Sequence, residues 1–333
     1  MKLLIITQVI DKNHPILGFF HRWAEEFAVH CEHVHVICLQ KGAFDLPANV
    51  TVHSLGKEDG VGRATYLWRF YKNIWRLRHE YDSVFVHMNQ QYVILGAPLW
   101  RMLGKRIGLW YMHGSTSLAL QVAEIFAHQI YTGSTESFRL KSRKVLVTGH
   151  GIDTKRFAPQ NIPKTIDLIT VGRVTKSKNL LALIDVLRQI NKSHPVTLTI
   201  VGVATTNEER EYEASLNKKI FEEGLKNFVH FKGRISQRDL PGILNQARIF
   251  VTTAQNGSLD KAVLEAMSCG LSVISMAPGS ASLPLGEAQV GGIPEFVAET
   301  KKMLESGVYL RDDYADFVRQ NHSLSSLIPR ILQ

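Results

Sequence analysis

Two stretches of the chain put charged side chains where an anion could be held. In IDLITVGRVTKSKN (166–179), Arg173 follows a β-branched run, and Lys178 comes five residues later, just before a helical pattern. Two cations at a strand end beside a helix N-terminus make an anion site, although each alone also reads as a solvated loop charge. The second stretch is NGSLDKAVLEAMSCG, Asn256 to Gly270. Ser258 is a candidate N-cap, and Asp260 falls in the first turn, where a negative charge suits the helix dipole. Leu259, Val263, Ala266 and Met267 recur at helical spacing, and Gly270 is a plausible stop. The segment is either an ordinary core helix or one whose N-terminus holds a ligand. If both strand ends lie on one edge of a sheet, the amides of Lys261 and Ala262 would face one phosphate while Arg173 and Lys178 neutralise the next. A diphosphate fits that arrangement, and Glu265 could reach the hydroxyls of an attached ribose. The pattern GxxxxGK[ST] does not occur, so this is not a P-loop.

The elements that would position these residues alternate in type. Apolar, β-branched runs at 2–8, 33–39, 83–88, 106–113 and 144–150 read as strands, with a helix at 18–30 whose Phe19, Trp23 and Phe27 share a face. Residues 151–165 interrupt the rhythm with two prolines and read as a linker. Strands then follow at 166–172, 196–202, 228–233, 248–253 and 271–276, separated by helices at 179–191, 207–222 and 237–246 and by the helix of the second stretch. A β-α-β rhythm implies a parallel sheet covered by helices on both faces. Two such halves imply two Rossmann-like, doubly wound domains facing each other across a cleft, with ligands at the carboxyl ends of the strands. The boundaries expected are 1–155 for an acceptor-side domain, 156–315 for a nucleotide-sugar-binding domain, and 316–333 for a C-terminal helix able to cross back to the first.

The 333 residues are 45% apolar and 21% charged, enough for two full cores. The three cysteines, Cys31, Cys38 and Cys269, form no CxxC pair, which fits a reducing compartment and argues against disulfides or structural zinc. The N-terminus lacks the length and cleavage site of a signal peptide, and Ile107 to Ala123, a long stretch without Asp, Glu, Lys or Arg, is too polar to span a membrane. A cytoplasmic location is expected. The formal charge is +9, and the excess lies mainly before residue 156. Part of it sits in RATYLWRFYKNIWRLRHEYD (63–82), where Arg63, Arg69, Lys72, Arg76 and Arg78 mix with Trp68, Phe70, Tyr71 and Trp75. Such a helix can lie on an anionic membrane, or pack ordinarily with Leu67, Tyr71, Ile74 and the Arg78 stem against a sheet. Nothing in the sequence supports nucleic-acid binding: the aromatic residues are not arranged as a stacking platform.

In order and spacing, TVGRVTKSKNL, FKGRISQRDLPGILNQARIFVTTA and VLEAMSCGLSVISM resemble retaining glycosyltransferases of the GT-B fold, family 4, and GHGIDTKRFAP is similar to that family's linker. The resemblance is strong over about 145–280 and looser before it. It implies that Arg173 and Lys178 bind the diphosphate of a nucleotide-sugar, that the Lys261–Ala262 amides contact the distal phosphate, and that Glu265 binds the ribose. Ser258, Leu259 and Asp260 lie in the same donor loop. Gly233, Arg234 and Ile235 fall where the family's base-binding loop runs. Gly18 takes the place of the glycine after the first strand, where the backbone approaches the phosphate, and His113 matches the family's active-site histidine. His87, Met88 and Asn89, at another strand end of the first half, are candidate acceptor contacts, or a loop hydrogen-bond cluster. One departure stands out: the family's hexose-binding glutamate is replaced by Gly257, with Asp260 three residues away as a candidate substitute.

These expectations describe a glycosyltransferase that moves a sugar from a nucleotide-diphosphate-sugar to the hydroxyl of a glycolipid, polysaccharide or other glycan. It would need no metal, since neither HExxH nor DxD occurs, and no cofactor beyond the donor. Its partners would be the donor, a glycan or lipid-linked acceptor and, at most peripherally, an anionic membrane. The alternatives are a GT-B epimerase or hydrolase of nucleotide-sugars, and a degenerate binding protein without transfer activity.

Overall fold

The first strand already shows how one half is built. β1 (Lys2–Ile10) alternates its buried side chains: Leu3 and Ile5 enter one apolar core, Leu4 and Ile6 another on the opposite face of the sheet. A strand buried on both sides needs helices on both sides. The computed structural model describes every residue except Pro15 and Asn256 and supplies them. After β1 come α1 (Phe19–His30), β2 (His33–Lys41), β3 (Val50–Ser54), α2 (Arg63–Arg76), β4 (Ser83–His87), α3 (Gln90–Met102), β5 (Arg106–Trp110), α4 (Leu118–Phe126), β6 (Gln129–Thr132) and β7 (Val145–Val147). The seven strands are parallel, in the order β3-β2-β1-β4-β5-β6-β7.

The second set is β8 (Ile166–Val171), α5 (Leu180–Ile190), β9 (Leu198–Val201), α6 (Asn207–Glu222), β10 (Val229–Gly233), α7 (Leu240–Asn245), β11 (Ala247–Thr252), α8 (Lys261–Ser268), β12 (Ser272–Ser275), α9 (Ile293–Ser306) and α10 (Asp312–His322). Its five strands are also parallel, ordered β10-β9-β8-β11-β12. The chain ends with α11 (Leu324–Leu332). Two compact units result: Met1–Asp153 joined by His322–Gln333, and Thr154–Asn321. The division thus falls two residues before the expected one. The returning segment begins at His322 rather than 316, because α10 up to Asn321 stays with the second unit.

The return has a clear cause. Leu324, Leu327, Ile328 and Ile331 of α11 complete the core formed by Phe20, Trp23 and Phe27 of α1. The Tyr131 hydroxyl donates to the carbonyl of Ile331 at 2.9 Å, and the amides of Ile152 and Leu324 bond across to His322 and Ile152 at 2.7 and 2.8 Å. On the other face, α2 turns Phe70 and Ile74 inward, while Leu67 and Tyr71 are exposed. The buried face is therefore rotated from the Leu67–Tyr71–Ile74 stripe expected of an ordinary helix, since Phe70 stacks into Tyr92 and Trp100 and claims the interior. β3, α3, α4, β6 and α9 have no counterpart among the elements expected from the sequence. Among the described residues, no helix is long and apolar enough to cross a membrane.

Candidate functional site

In a parallel sheet, strand order reverses at one point, and the loops leaving the two central strands there diverge to opposite faces, opening a crevice. In the second unit that point lies between β8 and β11. The loop after β8 carries Arg173 and Lys178; the loop after β11 leads to α8. The backbone ties them together: the Gln255 amide donates to the Ser177 carbonyl at 2.9 Å, and the Thr253 hydroxyl to the Asn179 carbonyl, also at 2.9 Å. Lys178 lies flat across Gly172, where a Cβ would come within 2.5 Å of its Cε. Gly279 gives similar room to the loop before α8, since a Cβ there would meet the Ser258 carbonyl oxygen at 2.2 Å.

The helix starts later than the sequence suggests. Ser258 is not its N-cap. Asp260 is, in extended backbone, its Oδ1 accepting from the Ala262 amide at 3.2 Å, and α8 begins at Lys261. An aspartate adjacent to the helix outcompetes a serine two residues earlier. Leu259 is buried, as are Val263, Ala266 and Met267, and Gly270 ends the helix in the left-handed region at φ 70°. Asn256, the first residue of the stretch, lies outside the described residues.

The charges at this end of the sheet are paired. Lys178 Nζ donates to Asp260 Oδ2, with side chains only 16% and 13% exposed. Lys261 Nζ donates to Glu265 one turn on, and Glu265 is 2% exposed. Lys261 also reaches Gln237 Oε1 at 3.3 Å, which links α8 to the loop holding Gly233, Arg234 and Ile235. Gly233 ends β10 with φ 65°, Arg234 is exposed and Ile235 half-buried. Arg173 does not meet Asp260; its guanidinium donates to Glu209 Oε1 at 2.7 Å. Glu209 closes the capping box of α6 and is held below the ordinary glutamate pKa, chiefly by the Thr205 hydroxyl. The structure therefore brings Lys178, Asp260, Lys261, Ala262 and Glu265 together, joins the Gly233–Ile235 loop to them through Gln237, and turns Arg173 toward α6. Gln237 and Glu209 escape sequence reading. Thr206-x-x-Glu209 marks a capping box locally, but nothing local to Gln237 or Glu209 announces their partners 24 and 36 residues away.

In the first unit the equivalent reversal lies between β1 and β4. Gly18 precedes α1, and a Cβ there would lie 2.6 Å from the His14 carbonyl oxygen and 3.2 Å from that of Lys12. The loop's own backbone thus accounts for the glycine. His87 is wholly buried, stacked on Phe20 with ring centroids 4.2 Å apart and with Nδ1 3.4 Å from the Thr7 hydroxyl. Burial pushes its pKa down to about 3. The expectation that it contacts an acceptor is therefore corrected: its ring is core. Met88 follows in the left-handed region at φ 59°, uncommon for a side chain of this size, and Asn89 caps α3 by accepting from the Gln91 amide at 3.3 Å. His113, three residues beyond β5, is exposed, and its Nδ1 accepts from the Ser115 amide at 3.1 Å. That bond leaves Nε2 as the nitrogen carrying the proton in the neutral ring. The buried cysteines are poor nucleophiles: burial raises Cys38 and Cys269 to about 12.

Residues 151–302 match the family described as Glycosyl transferases group 1. Over its full length the chain superposes on the Anabaena protein Alr3699/HepE in complex with UDP, with a TM-score of 0.79 at 18% identity, covering 100% of this chain and 98% of that one. The sucrose-phosphate synthase of Thermosynechococcus elongatus gives 0.78 at 15% identity, with the same coverage. Among curated sequences, a phosphatidylinositol N-acetylglucosaminyltransferase component from Arabidopsis thaliana is 24% identical over 58% of this chain and 39% of its own length. The GDP-mannose:cellobiosyl-diphosphopolyprenol alpha-mannosyltransferase of Xanthomonas campestris is 26% identical over 49% of this chain and 42% of its own. The alignments thus span well under two thirds of those relatives. With both parallel sheets in view, the chain has the GT-B fold, and its residues 151–302 are similar to the glycosyl transferases group 1 family.

Proposed function

We propose that the protein transfers a sugar from a nucleotide-diphosphate-sugar to an acceptor hydroxyl, with retention at the anomeric carbon and without a metal, as a family 4 enzyme. The observation that carries the reading is the fixed position of Lys178 beside the N-terminus of α8, at the point where the strand order of the second sheet reverses. The bond between the sugar's anomeric carbon and the distal phosphate breaks, a bond from that carbon to the acceptor oxygen forms, and the acceptor loses its proton. Charge develops on the departing diphosphate, and oriented cations and amides act most strongly on developing charge. Lys178, Arg173 and the amides of Lys261 and Ala262 are assigned to the phosphates and Glu265 to the ribose. Gly233, Arg234 and Ile235 are assigned to the base, and Ser258, Leu259 and Asp260 to the donor loop. Gly18 and His113 serve the reacting end, with the proton on His113 Nε2 available to an oxygen. No cofactor beyond the donor is required.

The acceptor is proposed to be a glycan or a lipid-linked sugar. Support comes from the curated relatives whose names specify diphosphopolyprenol or phosphatidylinositol, and from α2. Trp68 and Trp75 are 60% and 51% exposed there, with Lys72 4.7 Å and Arg78 4.5 Å from their ring centroids. Apolar rings beneath cations suit the face of an anionic membrane, which a cytoplasmic enzyme would touch peripherally.

A thermal-shift screen of UDP, GDP, ADP and their sugar conjugates tests the reading, because a ligand of the native state raises its apparent stability. One nucleoside diphosphate and its conjugate should raise the melting temperature, and the conjugate should then glycosylate a lipid-linked acceptor. The absence of any shift would overturn the proposal. Binding without transfer is the second reading, favoured by Gly257, which stands where the family carries a glutamate. Release of free sugar or an epimer without acceptor would favour an epimerase or hydrolase.

A further inference from the structure

We infer that Asp260 is an internal occupant of the anion position, so that a donor's diphosphate enters by displacing its carboxylate from Lys178. The inference rests on the diphosphate reading above and adds a residue that sets how tightly that diphosphate is held. The two oxygens of Asp260 satisfy the two kinds of donor the position offers: Oδ1 accepts from the Ala262 amide at 3.2 Å, and Oδ2 accepts from Lys178 Nζ. A cation and a helix N-terminal amide are what a phosphate would use there, and a carboxylate meets the same demand with one charge.

Neither partner is placed there by the ion pair alone. Lys178 is set by its passage over Gly172 and by the hydrogen bonds from Gln255 and Thr253 to its loop. Asp260 is set by the close packing of the Ser258 backbone on Gly279 and by its own cap to α8. The pair is mostly withdrawn from water, where a charge stripped of its partner is costly. Lys178 is therefore never left without an anion: the carboxylate holds it until a phosphate arrives. The neighbouring Lys261–Glu265 pair is closed within one turn of α8, so the Glu265 carboxylate answers to Lys261 and does not substitute for Asp260.

Calorimetry with inorganic pyrophosphate tests this independently of the base, with UDP and GDP as second probes. Asp260→Asn keeps the helix cap, because asparagine caps as well as aspartate, and Asp260→Ser is a second capping variant. Both should fold but melt below the native protein, because Lys178 loses its partner, and both should bind pyrophosphate at least tenfold more tightly. The gain should fall below twofold when Asp260→Asn is made in a Lys178→Met background, because the lysine is what the carboxylate occupies. Unchanged or weaker binding in both single variants would overturn the inference. If Lys178→Met alone still weakened binding, the diphosphate reading would survive. A gain of equal size in the Lys178→Met background would reduce Asp260 to general charge repulsion and overturn it as well. Failure of every variant to bind pyrophosphate, UDP or GDP would remove the diphosphate reading and this one together.

Discussion

The two units share the same strand order at their centres, β3-β2-β1-β4-β5 in one and β10-β9-β8-β11-β12 in the other, yet the carboxyl ends of their middle strands differ. In the second unit these ends are furnished with paired charges: Lys178 with Asp260, Lys261 with Glu265, Arg173 with Glu209. In the first, the end of β4 carries a buried ring and a half-buried sulfur, with His87 under Phe20 and the Met88 sulfur accepting from the Met112 amide at 3.2 Å. The family match, residues 151–302, lies almost wholly within the charged unit. A topology fixes where loops converge; it does not fix what they hold.

The sharpest way to separate the units is acid. Burial depresses His87 to about 3 and His53 and His322 to about 4, all three in the first unit. An unfolded histidine takes a proton near pH 6.5, so below that pH the unfolded chain binds more protons than the folded one. The stability these neutral rings allow is fully present above about 6.5 and is lost as the pH falls toward 4, by up to about 2 kcal/mol at pH 5 for each of His87 and His322, and by less for His53, which solvent partly screens. The second unit's histidines, His194 and His230, are not buried. Hydrogen exchange at pH 7 and pH 5 should therefore show the first sheet losing protection before the second. Equal loss in both would break the contrast.

Next in size is His113→Ala. It should leave diphosphate affinity nearly intact and lower turnover by about 100-fold, as for a positioned catalytic group. A loss of nucleotide binding instead would move donor chemistry into the first unit. Within the second unit, Lys178→Ala should weaken nucleoside diphosphate binding by about 1.5–3 kcal/mol, the scale of a charge-assisted bond. Arg173→Ala should cost less, since its side chain is 53% exposed and already serves Glu209. Calorimetry on both variants gives the order, and a reversed order would mean that Arg173 leaves Glu209 when ligand binds. The smallest effect expected is on stability: Trp68→Ser should shift unfolding by no more than about 0.5 kcal/mol, being a surface change. Sedimentation with phosphatidylglycerol vesicles should nevertheless show less of that variant bound. Equal binding would leave the exposed rings of α2 without that role.

The comparison also marks what is legible in the sequence. Strands rich in apolar and β-branched residues, such as KLLIITQ and VTLTIVG, are readable because burial on both faces excludes charged residues from their interiors. The linker and the repeat of the β-α-β rhythm are readable for the same local reasons. What is not readable depends on partners far along the chain. Asp260 rather than Ser258 caps α8, and its other oxygen answers to Lys178, 82 residues earlier. His87 reads as a strand-end polar residue until Phe20 and Trp23 are folded over it. The rotation of α2 follows from Phe70 finding Tyr92 and Trp100, which no heptad count within the helix reveals.

The position of α11 bears on how the chain is made. The first unit is split in sequence, and the side chains that complete one of its two cores arrive only with the last twelve residues, His322–Gln333. During synthesis Trp23 and Phe27 must wait, incompletely covered, while the whole of Thr154–Asn321 emerges. The second unit, continuous in sequence, can close as soon as it is free, so the unit that starts earlier in the sequence is finished later.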